Sequence, residues 1–273
     1  MVNRTSESED AIVRRALAYP YDRPKHDFAL VAGERLKLES FNEDHIGESI
    51  VIDAAGNKRP LFECAPLLKK EEGWTATIAS GSNAAVEQLK RKFQGPLEGR
   101  AIVVLDGTLD DFVSVYSAHF AGYGAVPATL WPLKGARARL ACVILPNALL
   151  PLMHETESLG VSYGFFELPG ARYSWLGGSM KRALYAYLSL TGALTMGGQP
   201  VRLAAIEVQN AGLLPHKSVE EMLEFIRGRS RDFSNVSDLV HAIVEDAELR
   251  KEIMAELRDF VRPLPLEQFP RVA

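Results

Sequence analysis

Trp74-Thr75-Ala76-Thr77-Ile78-Ala79-Ser80-Gly81-Ser82-Asn83-Ala84-Ala85-Val86-Glu87-Gln88-Leu89-Lys90-Arg91-Lys92-Phe93 is the stretch whose reading decides the fold. Trp74 to Ala79 are apolar or β-branched and read as a strand; Gly81-Ser82-Asn83 breaks the run; Val86, Leu89, Lys90 and Phe93 then recur at helical spacing. A strand, a tight turn and a helix in that order form a corner where backbone N–H groups converge beside the partially positive end of a helix, which suits a carboxylate. The same triplet has a plainer reading, a glycine turn followed by a helix cap.

On the N-terminal side, Ile12, Val13, Ala16 and Leu17 form a short helical pattern that Pro20 and Pro24 stop, leaving residues 11 to 27 as an arm or lid. Phe28 to Val31 and Leu36 to Leu38 flank Ala32-Gly33-Glu34, and Ser49 to Asp53 and Pro60 to Cys64 flank Ala54-Ala55-Gly56-Asn57; both read as hairpins. On the C-terminal side, strands are predicted over Ala101 to Leu105, Val113 to Phe120, Ala128 to Pro132 and Arg137 to Leu145, with turns at Asp106-Gly107 and Lys134-Gly135. Ala148 to Glu157 reads as a helix; Tyr163 to Leu168, Ala183 to Leu190 and Val201 to Val208 are strand-like or mixed, and residues 183 to 194 fit a helix equally. Gly197-Gly198 turns the chain before Pro200. Ser218-Val219-Glu220-Glu221 is a capping box, and a further helical stretch runs from Asn235 to Val261 with a break near Asp246 and an end at Pro263.

The 273 residues are 47% hydrophobic and 24% charged, ordinary for a chain that buries a core. Lys and Arg number 31 against 35 acids, a net charge of −4 with no basic block to track a phosphate backbone, so no nucleic-acid partner is expected. Met1 to Asp10 is polar and acidic, unlike an export signal, and Leu140 to Met153 is broken by Pro146, Asn147 and Pro151; neither export nor a membrane span is expected, and a cytoplasmic address fits. Cys64 and Cys142 sit in apolar runs and read as buried thiols. His26, His45, His119, His154, His216 and His241 form no zinc-ligand spacing, and Gly177-Gly178-Ser179-Met180-Lys181 lacks the phosphate-loop pattern, so neither metal nor cofactor is expected.

Ile78-Ala79-Ser80-Gly81-Ser82-Asn83, followed by Glu87-Gln88-Leu89, resembles the opening motif of the gamma-glutamylcyclotransferase-like family, where it reads Tyr-Gly-Ser-Asn. The resemblance continues in Gly124-Ala125-Val126-Pro127-Ala128-Thr129-Leu130 and in Met153-His154-Glu155-Thr156-Glu157, similar to the family's Leu-Asp-x-x-Glu segment, and spans roughly residues 75 to 168. Ser80 stands in place of the family's tyrosine, and Ser158 follows Glu157 where glycine is usual. The resemblance implies an α+β fold with a mixed, barrel-like sheet, the core over residues 74 to 215; the N-terminal arm and β-hairpin extension (residues 1 to 73) and the C-terminal helical appendage (residues 216 to 273) lie outside it and are read from the local pattern. It implies a cofactor-independent cyclotransferase, with the amine of a γ-glutamyl compound closing a 5-oxoproline ring and Glu157 as general acid and base.

Glu155, two residues from Glu157, is the second candidate carboxylate, and on a helix the two point to different faces. Ser80, Gly81, Ser82 and Asn83 would bind substrate. Tyr116, Tyr123 and Tyr163 line the pocket as hydroxyl donors or pack in the core, and His119 is a base or a half-buried strand side chain. A small molecule is the expected partner, with a homodimer as one assembly. Hydrolysis of an amide or lactone and a non-catalytic binding module are the alternatives.

Overall fold

The structure, a computed structural model, describes residues 4–69, 73–93 and 95–273, with side chains from residue 11 onward. Of the polar opening stretch Met1 to Asp10, the first three residues lie outside the described residues. Helix α1 (Arg4–Leu17) leads into β1 (Phe28–Val31), β2 (Glu34–Ser40), β3 (Ile50–Ile52) and β4 (Lys58–Pro60). β1 and β2 pair across Ala32 and Gly33, both left-handed at φ 47° and 84°, as the hairpin reading predicts. The second hairpin is shorter than expected. Pro60 supplies no N–H to continue a ladder, and Leu61–Cys64 coils as α2.

Next come β5 (Trp74–Ala79), α3 (Val86–Lys92), β6 (Ala101–Tyr116), β7 (Ala128–Pro146), α4 (Leu150–Thr156), β8 (Tyr163–Glu167), β9 (Tyr173–Trp175), β10 (Gly178–Ser179) and β11 (Leu184–Ser189). The main sheet runs β4-β3-β2-β1-β6-β7-β5-β11-β8, with β11 parallel to β5 and every other neighbour on that path antiparallel. This corrects the barrel-like expectation. β4 and β8 end the path at opposite edges with no pairing between them, so the α+β sheet stays open.

The long β6–β7 hairpin corrects two expected turns. Gly107 lies inside β6, paired with Leu140; a Cβ there would sit 2.3 Å from the Ser174 carbonyl oxygen and 2.7 Å from the Tyr173 ring. Glycine is needed at that position because β9 crosses closely over it, not because the chain reverses. At Lys134-Gly135 the strand bulges and continues: Asp110 pairs with Arg137 and Phe112 with Pro132, Gly135 is left-handed, and its N–H donates to the Asp111 carboxylate at 2.6 Å. Ala183 to Leu190 resolves as strand, and Gly197-Gly198 turns a two-strand hairpin, Ala193–Met196 with Gln199–Pro200.

Alternation along the central strands divides the core in two. Ile102 and Val104 of β6, with Phe28 and Leu30 of β1, face Leu89 of α3, Phe93 at the end of that helix and Met153 of α4. Ala101, Val103 and Leu105 face the opposite way, into a core that also takes Ala16 of α1 and the apolar faces of α5 (Val219–Arg227) and α6 (Val236–Glu245). The capping box forms as read, with Glu221 N–H donating to the Ser218 hydroxyl and Ser218 N–H to the Glu221 carboxylate. The helical break falls at Asp246, which caps α7 (Ala247–Glu256) through the N–H groups of Glu248 and Leu249. Among the described residues, no helix is long and apolar enough to cross a membrane.

Candidate active site

The corner after β5 forms as a one-turn 3₁₀ helix, Ser82–Ala84, between strand and α3. Among the described residues, no backbone carbonyl takes the Gly81 or Ser82 N–H. The reason for glycine at 81 lies outside the turn. A Cβ there would stand 1.9 Å from the Tyr19 hydroxyl, because the arm after α1 lays its phenol against the corner. That hydroxyl accepts the Ala128 N–H at 2.7 Å, so arm, turn and the first residue of β7 lock together. Position 80 carries no tyrosine, yet a phenol reaches the turn from residue 19.

A cavity of about 300 Å³ opens at this corner. Its lining takes in Gly81, Ser82 and Asn83 of the turn, Glu157 and Lys92, His119 and Tyr123 of the β6–β7 loop, and Tyr163 and Tyr187. The sequence-derived carboxylate and turn therefore share one space, across 74 residues of chain. Glu155 does not join them. It is exposed on α4, whereas Glu157 caps the C-terminus of that helix and its side chain is 11% exposed. Tyr116 is also elsewhere: fully buried in β6, its hydroxyl donates to the Lys217 carbonyl at 3.0 Å. Ser80 reaches the edge of the cavity, its hydroxyl directed to the Ala128 carbonyl at 3.3 Å.

Lys92 is the residue the sequence reading missed. Its Nζ donates to the Asn83 side-chain oxygen at 2.7 Å and ion-pairs with Glu157 Oε1, with its own side chain 8% exposed. A carboxylate at a helix C-terminus is electrostatically misplaced, and the ammonium at the end of α3 compensates it. Glu157 Oε2 has no partner among the described residues and remains available to the cavity. Lys92 shares a helix face with Gln88, four residues earlier, which is buried with its amide donating to the Ser82 hydroxyl at 3.3 Å.

The phenols around the carboxylate are all held protonated. Burial first, then the negative charge of Glu157, pushes Tyr163 and Tyr187 well above the ordinary phenol value; burial also raises Tyr19 and Tyr123. Tyr163 donates to the Ala128 carbonyl at 2.9 Å. His119 is neutral near pH 7, its pKa pushed down to about 4 by burial. His154 lies behind the site, its Nδ1 2.8 Å from the Tyr187 hydroxyl. Ser158 sits at φ 50°, the left-handed region that favours glycine, at the position where the resemblance called for glycine. Among the described residues, no three His, Cys, Asp or Glu side chains come together as a metal site.

Known structures resemble the chain only distantly. A gamma-glutamyl cyclotransferase aligns over 71% of this chain and 90% of its own at 11% identity and a TM-score of 0.35. An uncharacterized Homo sapiens protein aligns over 71% and 91% at 12% identity and a TM-score of 0.34. A solution structure from Arabidopsis thaliana aligns over 43% and 69% at 14% identity and a TM-score of 0.33. No family model and no curated protein sequence matches the chain. At such TM-scores the likenesses carry no argument, and any functional reading rests on the residues of the cavity.

Proposed function

We propose that the chain is a cofactor-independent enzyme that releases an amine from a small carboxylate-bearing amide by ring closure, the cyclotransferase-type reaction. One observation carries the reading: the Gly81-Ser82-Asn83 turn and the Glu157 carboxylate line the same cavity of about 300 Å³. That volume lies at the small end of ligand sites and suits a dipeptide-sized molecule.

In this reading the substrate carboxylate lies against the Gly81 and Ser82 N–H groups beside the ammonium of Lys92. The α-amine attacks the side-chain carbonyl carbon; a new C–N bond closes a five-membered lactam as the old C–N bond breaks. One proton passes from the attacking nitrogen to the leaving nitrogen, and Glu157 Oε2 is the carrier. Lys92 holds Oε1 and so fixes the plane of the carboxylate. Because the attack is intramolecular, holding the folded conformer supplies much of the acceleration, with effective molarities on the order of 10⁵ M or more. Proton transfer adds roughly 10²–10⁴-fold.

The test is to incubate the purified chain with γ-glutamyl amines and dipeptides and to measure 5-oxoproline and free amine in equal amounts. Glutamate in place of 5-oxoproline, with solvent oxygen in the new carboxyl, would establish hydrolysis at the same site instead.

A further inference from the structure

We infer that Tyr19, carried in from the N-terminal arm, is a substrate-binding residue whose hydroxyl donates to the substrate carboxylate at the Gly81 corner and selects free acids over the matching carboxamides. The inference rests on the amine-releasing reading above and names the group which that same cavity recognises.

Donors and acceptors do not balance at this corner. The Ala128 carbonyl already receives the Tyr163 hydroxyl at 2.9 Å and the Ser80 hydroxyl at 3.3 Å, which occupies both of its lone pairs. The Ser80 carbonyl receives the Ser114 hydroxyl, the Asn83 side-chain oxygen receives Lys92 Nζ, and the Ser82 carbonyl receives the Ala85 N–H at 3.0 Å. On the donor side, the Gly81 and Ser82 N–H groups meet no backbone carbonyl among the described residues. The Tyr19 hydroxyl accepts the Ala128 N–H at 2.7 Å, and its own proton reaches no oxygen among the described residues. Three unspent donors therefore border the cavity beside acceptors that are already engaged, and what the corner lacks is an acceptor.

The phenol is placed by the turn itself. Its oxygen lies 1.9 Å from where a Gly81 Cβ would stand, and Tyr19, Gly81 and Ser82 all line the cavity. The residue is 5% exposed, and the bond from Ala128 fixes the oxygen. Burial first, then the neighbouring phenols of Tyr123 and Tyr163, raises Tyr19 well above the ordinary phenol value, so at neutral pH the hydroxyl keeps its proton and donates. An ionised carboxylate brings two oxygens and no proton, and it accepts from all three donors. A carboxamide of the same shape turns one of those oxygens into an NH₂, which sets donor against donor and leaves one of them unsatisfied.

The test uses the full-length chain and two unreactive ligands of one shape, 5-oxoproline and its carboxamide. Wild type is expected to bind the acid more tightly. Tyr19→Phe keeps the ring against Gly81 and is expected to lose about 10-fold or more in affinity for 5-oxoproline, while its affinity for the carboxamide changes by less than about 3-fold. On the wild-type chain alone, labelled with ¹³Cζ-tyrosine, the Tyr19 resonance is expected to move downfield with 5-oxoproline and not with the carboxamide. Equal weakening of both ligands in Tyr19→Phe, the mark of a merely structural hydroxyl, or a Tyr19 resonance unmoved by 5-oxoproline, overturns the inference; release of 5-oxoproline from γ-glutamyl amines by wild type then leaves the amine-releasing reading standing. Neither binding nor release of 5-oxoproline overturns the two together.

Discussion

Gly81→Ala tests whether the arm, the turn and β7 are one unit. The added methyl would stand 1.9 Å from the Tyr19 hydroxyl, 2.8 Å from its ring carbon and 3.3 Å from the Ala128 Cβ, so the phenol must retreat. Retreat breaks the 2.7 Å bond from the Ala128 N–H to that hydroxyl and leaves a buried donor unpaired, at about 1–3 kcal/mol. Overpacking against well-ordered neighbours adds about 1–3 kcal/mol. The sum, about 2–6 kcal/mol, lowers Tm by roughly 4–12 °C in a chain of this size. Urea unfolding monitored by circular dichroism measures it. The clash has a single main partner, so in Tyr19→Ala the same Gly81→Ala change should cost less than about 1 kcal/mol. A Gly81→Ala variant as stable as wild type, or the same penalty with and without Tyr19, would refute the reasoning.

Three further outcomes follow from the site. Lys92→Met leaves the Glu157 carboxylate at a helix C-terminus without its counter-charge and should cost about 2–4 kcal/mol in urea unfolding; adding Glu157→Gln should recover at least half of it. His119 binds a proton below about pH 6.5 in the unfolded chain but only below about pH 4 when folded, so falling pH favours the unfolded state across that window and the effect levels off beneath it. Between pH 7 and pH 4.5 the wild type should therefore lose about 2–3 kcal/mol more than His119→Gln, and equal losses would exclude the buried neutral ring. Ser158→Gly relieves a left-handed backbone at φ 50° next to Glu157 and should raise stability by up to about 1 kcal/mol, read as a higher Tm; a lower Tm would contradict it.

Local pattern carried the elements whose apolar residues recur regularly: the β5–turn–α3 corner, the capped α5 and the break at Asp246 were all legible. It failed where a glycine answers to a distant neighbour. Gly107 looks like a turn until Tyr173 and Ser174 are seen crossing it, and Gly81 looks sufficient as a turn residue until Tyr19 is seen against it. The closure of the sheet was misjudged because pairing between edge strands leaves no periodic trace. In the site, Glu157 and the turn could be named from short motifs. The separation of Glu157 from Glu155 followed from helical geometry, but Tyr116 could not be excluded, since a strand tyrosine reads alike whether its hydroxyl meets a ligand or the Lys217 carbonyl. Lys92 was hidden as one of three consecutive basic residues at the end of α3, a pattern that ordinarily marks a solvated helix terminus.

The most direct test of the central claim is the release of 5-oxoproline from γ-glutamyl amines by the wild-type chain and by Glu157→Gln, with the fold of both checked by circular dichroism. The account predicts 5-oxoproline and amine in equal amounts from the wild type and a fall of about 10²-fold or more in kcat for the variant. Turnover unchanged in Glu157→Gln would contradict it.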